Sequence, residues 1–138
     1  MIFVDTGAFV AKYIRRDQHY ANARPIWERI ERKNEQLCTS NFVIDELATL
    51  LARGSNYSFA AQKIGLLYES GAVKILRPVE EDERLALQFF AKYADQEVSF
   101  TDCISFALMQ AHRLTRVFCF DRHFDLPGFT RIPPGFQI

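Results

Sequence analysis

Short apolar runs alternate with amphipathic stretches along the chain, and this alternation constrains the fold more than any other feature. In most of the amphipathic stretches, apolar residues recur three or four positions apart, as on one face of a helix. Short strands that alternate with helices are typical of an α/β domain with a mainly parallel sheet. The predicted strands are MIFVD, QLCTS, AVKILRPV, RVFCF and a short FTRIP.

The predicted helices lie between these strands. Asn41, Ser58 and Ser99 are placed to cap three of them, and Pro25 predicts a kink or a boundary in the second. Residues 99–102 have the S-x-x-D pattern of a capping box. The predicted helical stretches are TGAFVAKYI, YANARPIWERIERK, FVIDELATLLAR, FAAQKIGLLYES, residues 80–93 and FTDCISFALMQAHRL.

Length and charge limit the classes of function. The 138 residues fit one domain, expected to span 1–138. The 17 basic and 17 acidic side chains give no net charge, so no global basic field attracts nucleic acid. A phosphate-containing partner must therefore be held by a local patch or by a bound cation.

The sequence was also searched for targeting segments and for cysteine patterns. No basic stretch followed by a long apolar segment begins the sequence, and no apolar run is long enough to span a bilayer. Cys38, Cys103 and Cys119 are far apart, which favours buried reduced thiols over disulfides or a zinc knuckle. We therefore expect a cytoplasmic protein with no membrane partner.

Two acidic residues follow predicted strands. Asp5 comes directly after a strand expected to be buried on both faces, and Asp121 follows the fourth strand. In open parallel sheets, ligands bind beyond the carboxyl ends of the strands, where the strand order reverses. We therefore expect Asp5 and Asp121 to emerge at the same edge of the sheet.

Two further acids lie in predicted helices. Glu46 falls on the flank of an apolar helical face, whereas Asp45 falls nearly opposite and is expected to be solvent-exposed. Asp102 points away from the predicted apolar face of its helix. It lies in the first turn, where the helix dipole favours an anion.

Each acid also has a purely structural explanation: a salt bridge for Glu46, a helix cap for Asp102 and a turn for Asp121. Several carboxylates in one crevice, however, cannot all remain ionised without positive charge. A hard divalent cation with oxygen ligands is the simplest source of that charge, and it can activate water for phosphodiester cleavage. Convergence of the acids is thus the hypothesis on which function depends.

In their order and context, the segments FVDTGAFVA, TSNFVIDELATLL, VSFTDCISFALM and VFCFDRHF resemble the PIN-domain ribonucleases. The resemblance covers essentially the whole chain and is strongest to the VapC-like toxins of type II toxin–antitoxin systems. It implies a Rossmann-like, three-layer sandwich with a central, mainly parallel sheet of about five strands flanked by helices. It also implies that the first and fourth strands are neighbours.

The resemblance implies roles for the four acids. Asp5 and Asp102 would bind Mg²⁺ or Mn²⁺ directly, and Asp121 would complete the metal site directly or through water. Glu46 would orient or deprotonate water. The predicted function is a Mg/Mn-dependent endoribonuclease that hydrolyses RNA phosphodiesters by metal-activated water and leaves a 5′-phosphate and a 3′-hydroxyl.

Supporting residues follow from the same resemblance. Thr6 and Thr101 match polar positions beside the acids and are expected to hydrogen-bond to them. The basic residues after the first helix are candidate phosphate contacts, although a solvated helix end explains them equally well. These basic residues are Lys12, Arg15 and Arg16.

Other catalytic classes lack their signatures. His19, His112 and His123 show no spacing for a zinc site or a nucleophile–base pair, and they are expected to be surface or packing residues. A Gly-rich phosphate loop and a G-x-S-x-G elbow are absent from the sequence.

The expected partners are an RNA substrate, a cognate antitoxin protein and a second copy in a homodimer. Two alternatives stay open: an antitoxin-independent PIN nuclease that processes RNA, and a catalytically silent PIN-fold module that binds RNA or protein.

Overall fold

Five parallel strands form one sheet in the computed structural model, which describes residues 1–134. The strand order is β3-β2-β1-β4-β5, so the order reverses between β1 and β4. The mainly parallel sheet and the neighbouring first and fourth strands are confirmed. Residues 135–138 of the predicted domain lie outside the described part. The strands are β1 (Ile2–Val4), β2 (Leu37–Ser40), β3 (Val73–Leu76), β4 (Arg116–Phe118) and β5 (Thr130–Ile132).

Six α-helices flank the sheet within residues 1–134. Helix α1 packs against α2 and α3, α3 also packs against α4 and α6, and α5 packs against α6. None of these helices has both the length and the apolar character that crossing a membrane requires. The helices are α1 (Thr6–Tyr13), α2 (Tyr20–Lys33), α3 (Asn41–Gly54), α4 (Tyr57–Glu69), α5 (Glu80–Lys92) and α6 (Phe100–Ala111).

Two helix caps and one boundary differ from the prediction. Ser40 caps α3 in place of Asn41, and Asn56 caps α4 in place of Ser58. A capping residue needs extended backbone. Ser40 and Asn56 have it, whereas Asn41 and Ser58 are already helical. Pro25 lies on the exposed side of α2, and the helix continues through it without a boundary.

Strand β1 is the buried centre of the sheet, and its end is fixed in place. Phe3 pairs with Val117 and Val4 pairs with Phe118. At the end of the strand, the Thr39 hydroxyl donates a hydrogen bond of 2.8 Å to the carbonyl of Val4. The residue after β1 therefore has a well-defined position at the edge of the sheet.

Helix α6 is more deeply buried than its sequence pattern predicts. Every residue from Asp102 to Met109 is buried, because α5 packs on one side of the helix and α3 on another. Asp102 is therefore buried, although its phase places it away from the apolar face of α6. Ala111, the last residue of α6, is exposed. The three cysteines are buried and free, as expected.

Candidate metal centre

A cleft of about 440 Å³ lies at the carboxyl ends of β1 and β4 and brings the four predicted acids together. One acid follows β1, one lies in α3, one in the first turn of α6 and one in the turn after β4. The four predicted acids that line the cleft are Asp5, Glu46, Asp102 and Asp121.

Asp5 is the most enclosed of the four acids, with 5% of its surface exposed. Its backbone N–H donates to the carbonyl of Phe118 at 3.0 Å. Its Oδ1 atom is buried and has no hydrogen-bond partner among the described residues. Burial raises the pKa of Asp5, and the charges of Asp121 and Glu46 raise it further, against an opposing effect of the Thr6 backbone N–H.

Asp102 is held by the start of α6. The Ser99 side chain accepts the backbone N–H of Asp102 at 3.1 Å, so the expected cap is present. Asp102 is 6% exposed. Burial raises the pKa of Asp102, and the carboxylates of Asp5, Asp121 and Glu46 raise it further. Ionisation of all the cleft acids at once therefore requires compensating positive charge.

Asp121 lies in a turn beyond the end of β4. Its Oδ1 accepts the backbone N–H of His123 at 2.9 Å, so Asp121 is both a turn residue and a cleft residue. A bidentate ion pair ties this turn to β5: Arg131 Nε lies 2.8 Å from Asp125 Oδ1, and Nη2 lies 2.9 Å from Oδ2. Phe124 is fully buried in the same turn.

Helical phase correctly separates the two neighbouring acids of α3. Glu46 is half-buried and lines the cleft, whereas Asp45 is exposed. Glu97 is an acid of the cleft that the sequence analysis did not identify. It precedes α6 with a left-handed backbone, at φ 57°.

The two threonines do not hydrogen-bond as expected. The Thr6 hydroxyl is buried and has no hydrogen-bond partner among residues 1–134, so it does not bond to an acid. Thr6 acts on Asp5 through its backbone N–H instead. Thr101 uses its carbonyl, which accepts the Ser105 hydroxyl at 3.1 Å.

Two of the three candidate phosphate contacts are engaged elsewhere. The Lys12 ammonium lies 4.4 Å from the ring centroid of Trp27, and both residues line a separate groove. The Arg16 guanidinium donates to the carbonyl of Gly54 at the end of α3. Arg15 is exposed. The structural explanation of this basic cluster accounts for Lys12 and Arg16.

His123 joins the acids, although the sequence analysis assigned it to surface or packing. Its Nδ1 lies 3.2 Å from Asp121 Oδ1 and 3.9 Å from Asp102 Oδ2. One potential ligand atom from each of these three residues falls within 4.8 Å of the others. The segment that carries both residues is D-R-H, in the turn that follows β4, where Asp121 and His123 lie side by side. His19 also lines the cleft, and His112 is exposed.

The geometry of the cleft suits a hard divalent cation. Carboxylate oxygens from four parts of the fold line one cleft, and a buried carboxylate oxygen of Asp5 has no partner among the described residues. Mg²⁺ and Mn²⁺ prefer such oxygen ligands.

Comparison with known proteins identifies the family of this chain. The sequence model of the PIN domain matches residues 2–129. The chain belongs to the PIN domain family. This PIN-domain chain is 32% identical over 136 residues to the 23S rRNA-specific endonuclease VapC20 of Mycobacterium tuberculosis, in both strain CDC 1551 and strain H37Rv. The match covers 97% of this chain and 99% of VapC20.

Two crystal structures share the PIN fold. The Mycobacterium tuberculosis VapC20 structure, described as a sarcin–ricin loop cleaving toxin, has a TM-score of 0.83 at 27% identity and covers 94% of this chain and 97% of its own. The DNA-bound VapBC structure from Salmonella typhimurium has a TM-score of 0.68 at 15% identity, covering 95% and 97%, and supports the fold alone. The VapC-like resemblance predicted from the acidic motifs is confirmed.

Proposed function

We propose that this PIN-domain protein is a divalent-metal-dependent endoribonuclease and the toxin component of a toxin–antitoxin pair. The observation that carries the proposal is the convergence of four carboxylates from separate elements in one cleft. Membership of the PIN family and the similarity to a relative named as an rRNA endonuclease support it.

Asp5, Asp102 and Asp121 are the residues that hold Mg²⁺ or Mn²⁺ in this proposal. The unpartnered Oδ1 of Asp5 and the raised pKa values of Asp5 and Asp102 are the features that a bound cation satisfies. A divalent cation held there supplies positive charge for a substrate phosphate and acidifies a water molecule.

Glu46 has a different role because of its position. It is half-buried on the flank of α3, at the side of the cleft rather than in the most buried part. We assign it the task of orienting the attacking water and accepting its proton. In-line attack on an RNA phosphodiester then leaves a 5′-phosphate and a 3′-hydroxyl.

Ribosomal RNA is the proposed substrate class. The 32% identity to an enzyme named for 23S rRNA extends along nearly the whole chain, and the chain has no net charge with which to bind RNA unspecifically. The cleft cation supplies the local attraction for phosphate. The site of action is the cytoplasm, where ribosomes are found.

We also propose a cognate antitoxin and a homodimer as partners. Apolar side chains on α5 are exposed, among them Leu87 at 56% and Phe90 at 45%, and they favour a protein contact on this face. Light scattering during gel filtration tests the dimer: a wild-type monomer at micromolar concentration contradicts it. If the wild-type protein is a dimer and the Leu87→Glu variant is a monomer, the dimer interface lies on this face.

RNA cleavage by the purified protein tests the nuclease. We expect Mn²⁺ or Mg²⁺ to support cleavage of 23S rRNA and EDTA to abolish it. Asp5→Asn removes a proposed ligand and should abolish cleavage, whereas the matched control Asp45→Asn changes an exposed carboxylate and should retain it. Cleavage that persists in EDTA or in Asp5→Asn contradicts the proposal.

Expression in cells tests the toxin role. Growth arrest by the wild-type protein that disappears in Asp102→Ala, and that a cognate antitoxin relieves, supports a toxin. Robust cleavage in vitro without growth arrest supports the antitoxin-independent nuclease instead.

A further inference from the structure

We propose that His123 supplies a nitrogen ligand to the cation of the cleft, so that the centre is a mixed carboxylate–imidazole site that binds Mn²⁺ in preference to Mg²⁺. This inference rests on the metal centre of the proposed function and adds a ligand and a metal preference to it.

The distances around His123 suit ligands of one ion. Its Nδ1 lies 3.2 Å from Asp121 Oδ1 and 3.9 Å from Asp102 Oδ2. Ligand atoms about 2.1 Å from one octahedral ion lie about 3 Å apart when adjacent and about 4.2 Å apart when opposite. The observed separations fall within this range without rearrangement of the backbone.

A separate observation in the same cleft also indicates a ligand. Asp5 Oδ1 is buried without a hydrogen-bond partner among the described residues, in a side chain that lines the cleft beside Asp121 and His123. Asp5 belongs to the end of β1 and not to the turn that carries His123. The unsatisfied oxygen is therefore independent of the local geometry of that turn.

The position of the His123 ring is set by the chain. The backbone N–H of His123 donates to Asp121 Oδ1 at 2.9 Å, and the next residue, Phe124, is fully buried. Phe124 packs edge-on against Phe106 of α6, with ring centroids 5.0 Å apart. This contact ties the turn that holds His123 to the helix that holds Asp102.

The choice of metal follows from the type of donor. Carboxylates and water suit both Mg²⁺ and Mn²⁺, whereas imidazole is a poor ligand for Mg²⁺ and a good one for transition metals. A neutral imidazole also adds a ligand without adding negative charge to a cleft that already contains several carboxylates. Of these two ions, the donor set therefore favours Mn²⁺ over Mg²⁺.

Pulsed electron paramagnetic resonance of the Mn²⁺-loaded protein tests the inference directly. A coordinated imidazole gives ¹⁴N modulation of the Mn²⁺ spin echo, and we expect this modulation in the wild-type protein. The chain has three histidines, so each is tested. The modulation should be lost in His123→Gln and retained in His19→Gln and His112→Gln.

Equilibrium titration with each metal gives a second readout. We expect His123→Gln to weaken Mn²⁺ binding about tenfold, the lower end of what loss of a supporting group costs a metal site, with a smaller effect on Mg²⁺. His112→Gln is the matched control, because His112 is exposed at the far end of α6.

Two results overturn the inference. The first is that the wild-type protein binds Mn²⁺ but shows no ¹⁴N modulation. The second is that the modulation persists in a folded His123→Gln variant. In either case, metal-dependent cleavage that is lost in Asp5→Asn leaves the proposed function intact. Failure of the wild-type protein to bind either metal overturns both.

Discussion

The backbone N–H of Asp5 donates a hydrogen bond to the carbonyl of Phe118, at 3.0 Å, across the point where the strand order of the sheet reverses. Phe118 is the last residue of β4, and Asp121 follows it in the next turn. One backbone hydrogen bond thus fixes the relative position of two acids that are far apart in sequence.

Asp5→Asn should stabilise the metal-free protein while it removes activity. The amide has the shape of the carboxylate but no charge, and burial and neighbouring carboxylates raise the pKa of Asp5 because its charge is unfavourable there. We expect a gain of about 1 kcal/mol in the free energy of unfolding at pH 8. Urea denaturation in EDTA measures it, and a clear loss of stability contradicts the prediction.

Glu46→Gln and Asp45→Asn form a matched pair, because the two acids are adjacent in α3 and differ in the direction they face. Loss of a general base typically lowers the rate by about 10²-fold to 10⁴-fold. We expect a loss of this size for Glu46→Gln and less than about twofold for Asp45→Asn in single-turnover RNA cleavage. Equal losses of activity in the two variants contradict the assignment of Glu46, rather than Asp45, to the cleft.

The stability of the metal-free protein should fall as pH rises above about 4. Asp5 and Asp102 have pKa values raised above the ordinary 3.8, so the folded state binds more protons than the unfolded chain above that pH. The slope of the free energy of unfolding against pH is proportional to the number of protons bound by the unfolded state minus the number bound by the folded state. This difference is negative here, so the protein becomes less stable as pH rises.

Adding Mn²⁺ should reverse this trend at neutral pH. A ligand at a hundred times its dissociation constant adds about 2.7 kcal/mol of stability when it binds only the folded state. Thermal unfolding from pH 5 to pH 8, in EDTA and in Mn²⁺, measures both effects. An Asp102→Asn variant should show a weaker pH dependence in EDTA, and an unchanged slope would argue against these two groups as its source.

Asp125→Ala should loosen the turn that carries Asp121. Asp125 pairs in a bidentate manner with Arg131, whose side chain is 5% exposed, so truncation leaves a buried guanidinium without this partner. We expect a loss of about 2 kcal/mol in the free energy of unfolding, with weaker Mn²⁺ binding. Arg24→Ala is the control: it breaks an exposed pair with Glu28, and its cost should be below about 0.5 kcal/mol.

Glu97→Gly should stabilise the protein through the backbone. Glu97 has φ 57°, a left-handed conformation that costs an ordinary residue roughly 1–2 kcal/mol, part of which is offset by the greater freedom of glycine in the unfolded chain. We expect a net gain of about 0.5 kcal/mol. Asn34→Gly, at φ 49°, should gain less because Asn tolerates this region. If a Glu97→Gln variant is stabilised by the same amount, the effect comes from the negative charge of Glu97 in the cleft and not from the backbone.

The sequence identified the acids that depend on regular geometry. Asp5 and Asp121 were predicted at one edge because parallel strands end on the same side of a sheet. Helical phase correctly distinguished Glu46 from Asp45. Helical phase alone did not predict the burial of Asp102, because α6 is covered by helices on more than one side and no single apolar face describes it.

His123 could not be predicted by the same reasoning. Its approach to Asp121 and Asp102 depends on a turn closed by an Asp121 hydrogen bond and anchored by Phe124. Neither turn closure nor packing on α6 leaves a periodic pattern in the sequence. The prediction for the Thr6 hydroxyl was wrong for a related reason. The direction of this hydroxyl depends on the first turn of α1 and not on the neighbouring residue in the sequence.

The pairing of β1 with β4 also determines when the enzyme can become active during its own synthesis. A ribosome completes Asp5 almost at once, but the strand that locks it in place, and Asp121 beyond that strand, are translated near the end. A nascent chain shorter than this holds only part of the cleft. A complete cleft therefore forms only after most of the polypeptide has been synthesised, and a chain that stops before β4 lacks both Asp121 and the strand that holds Asp5.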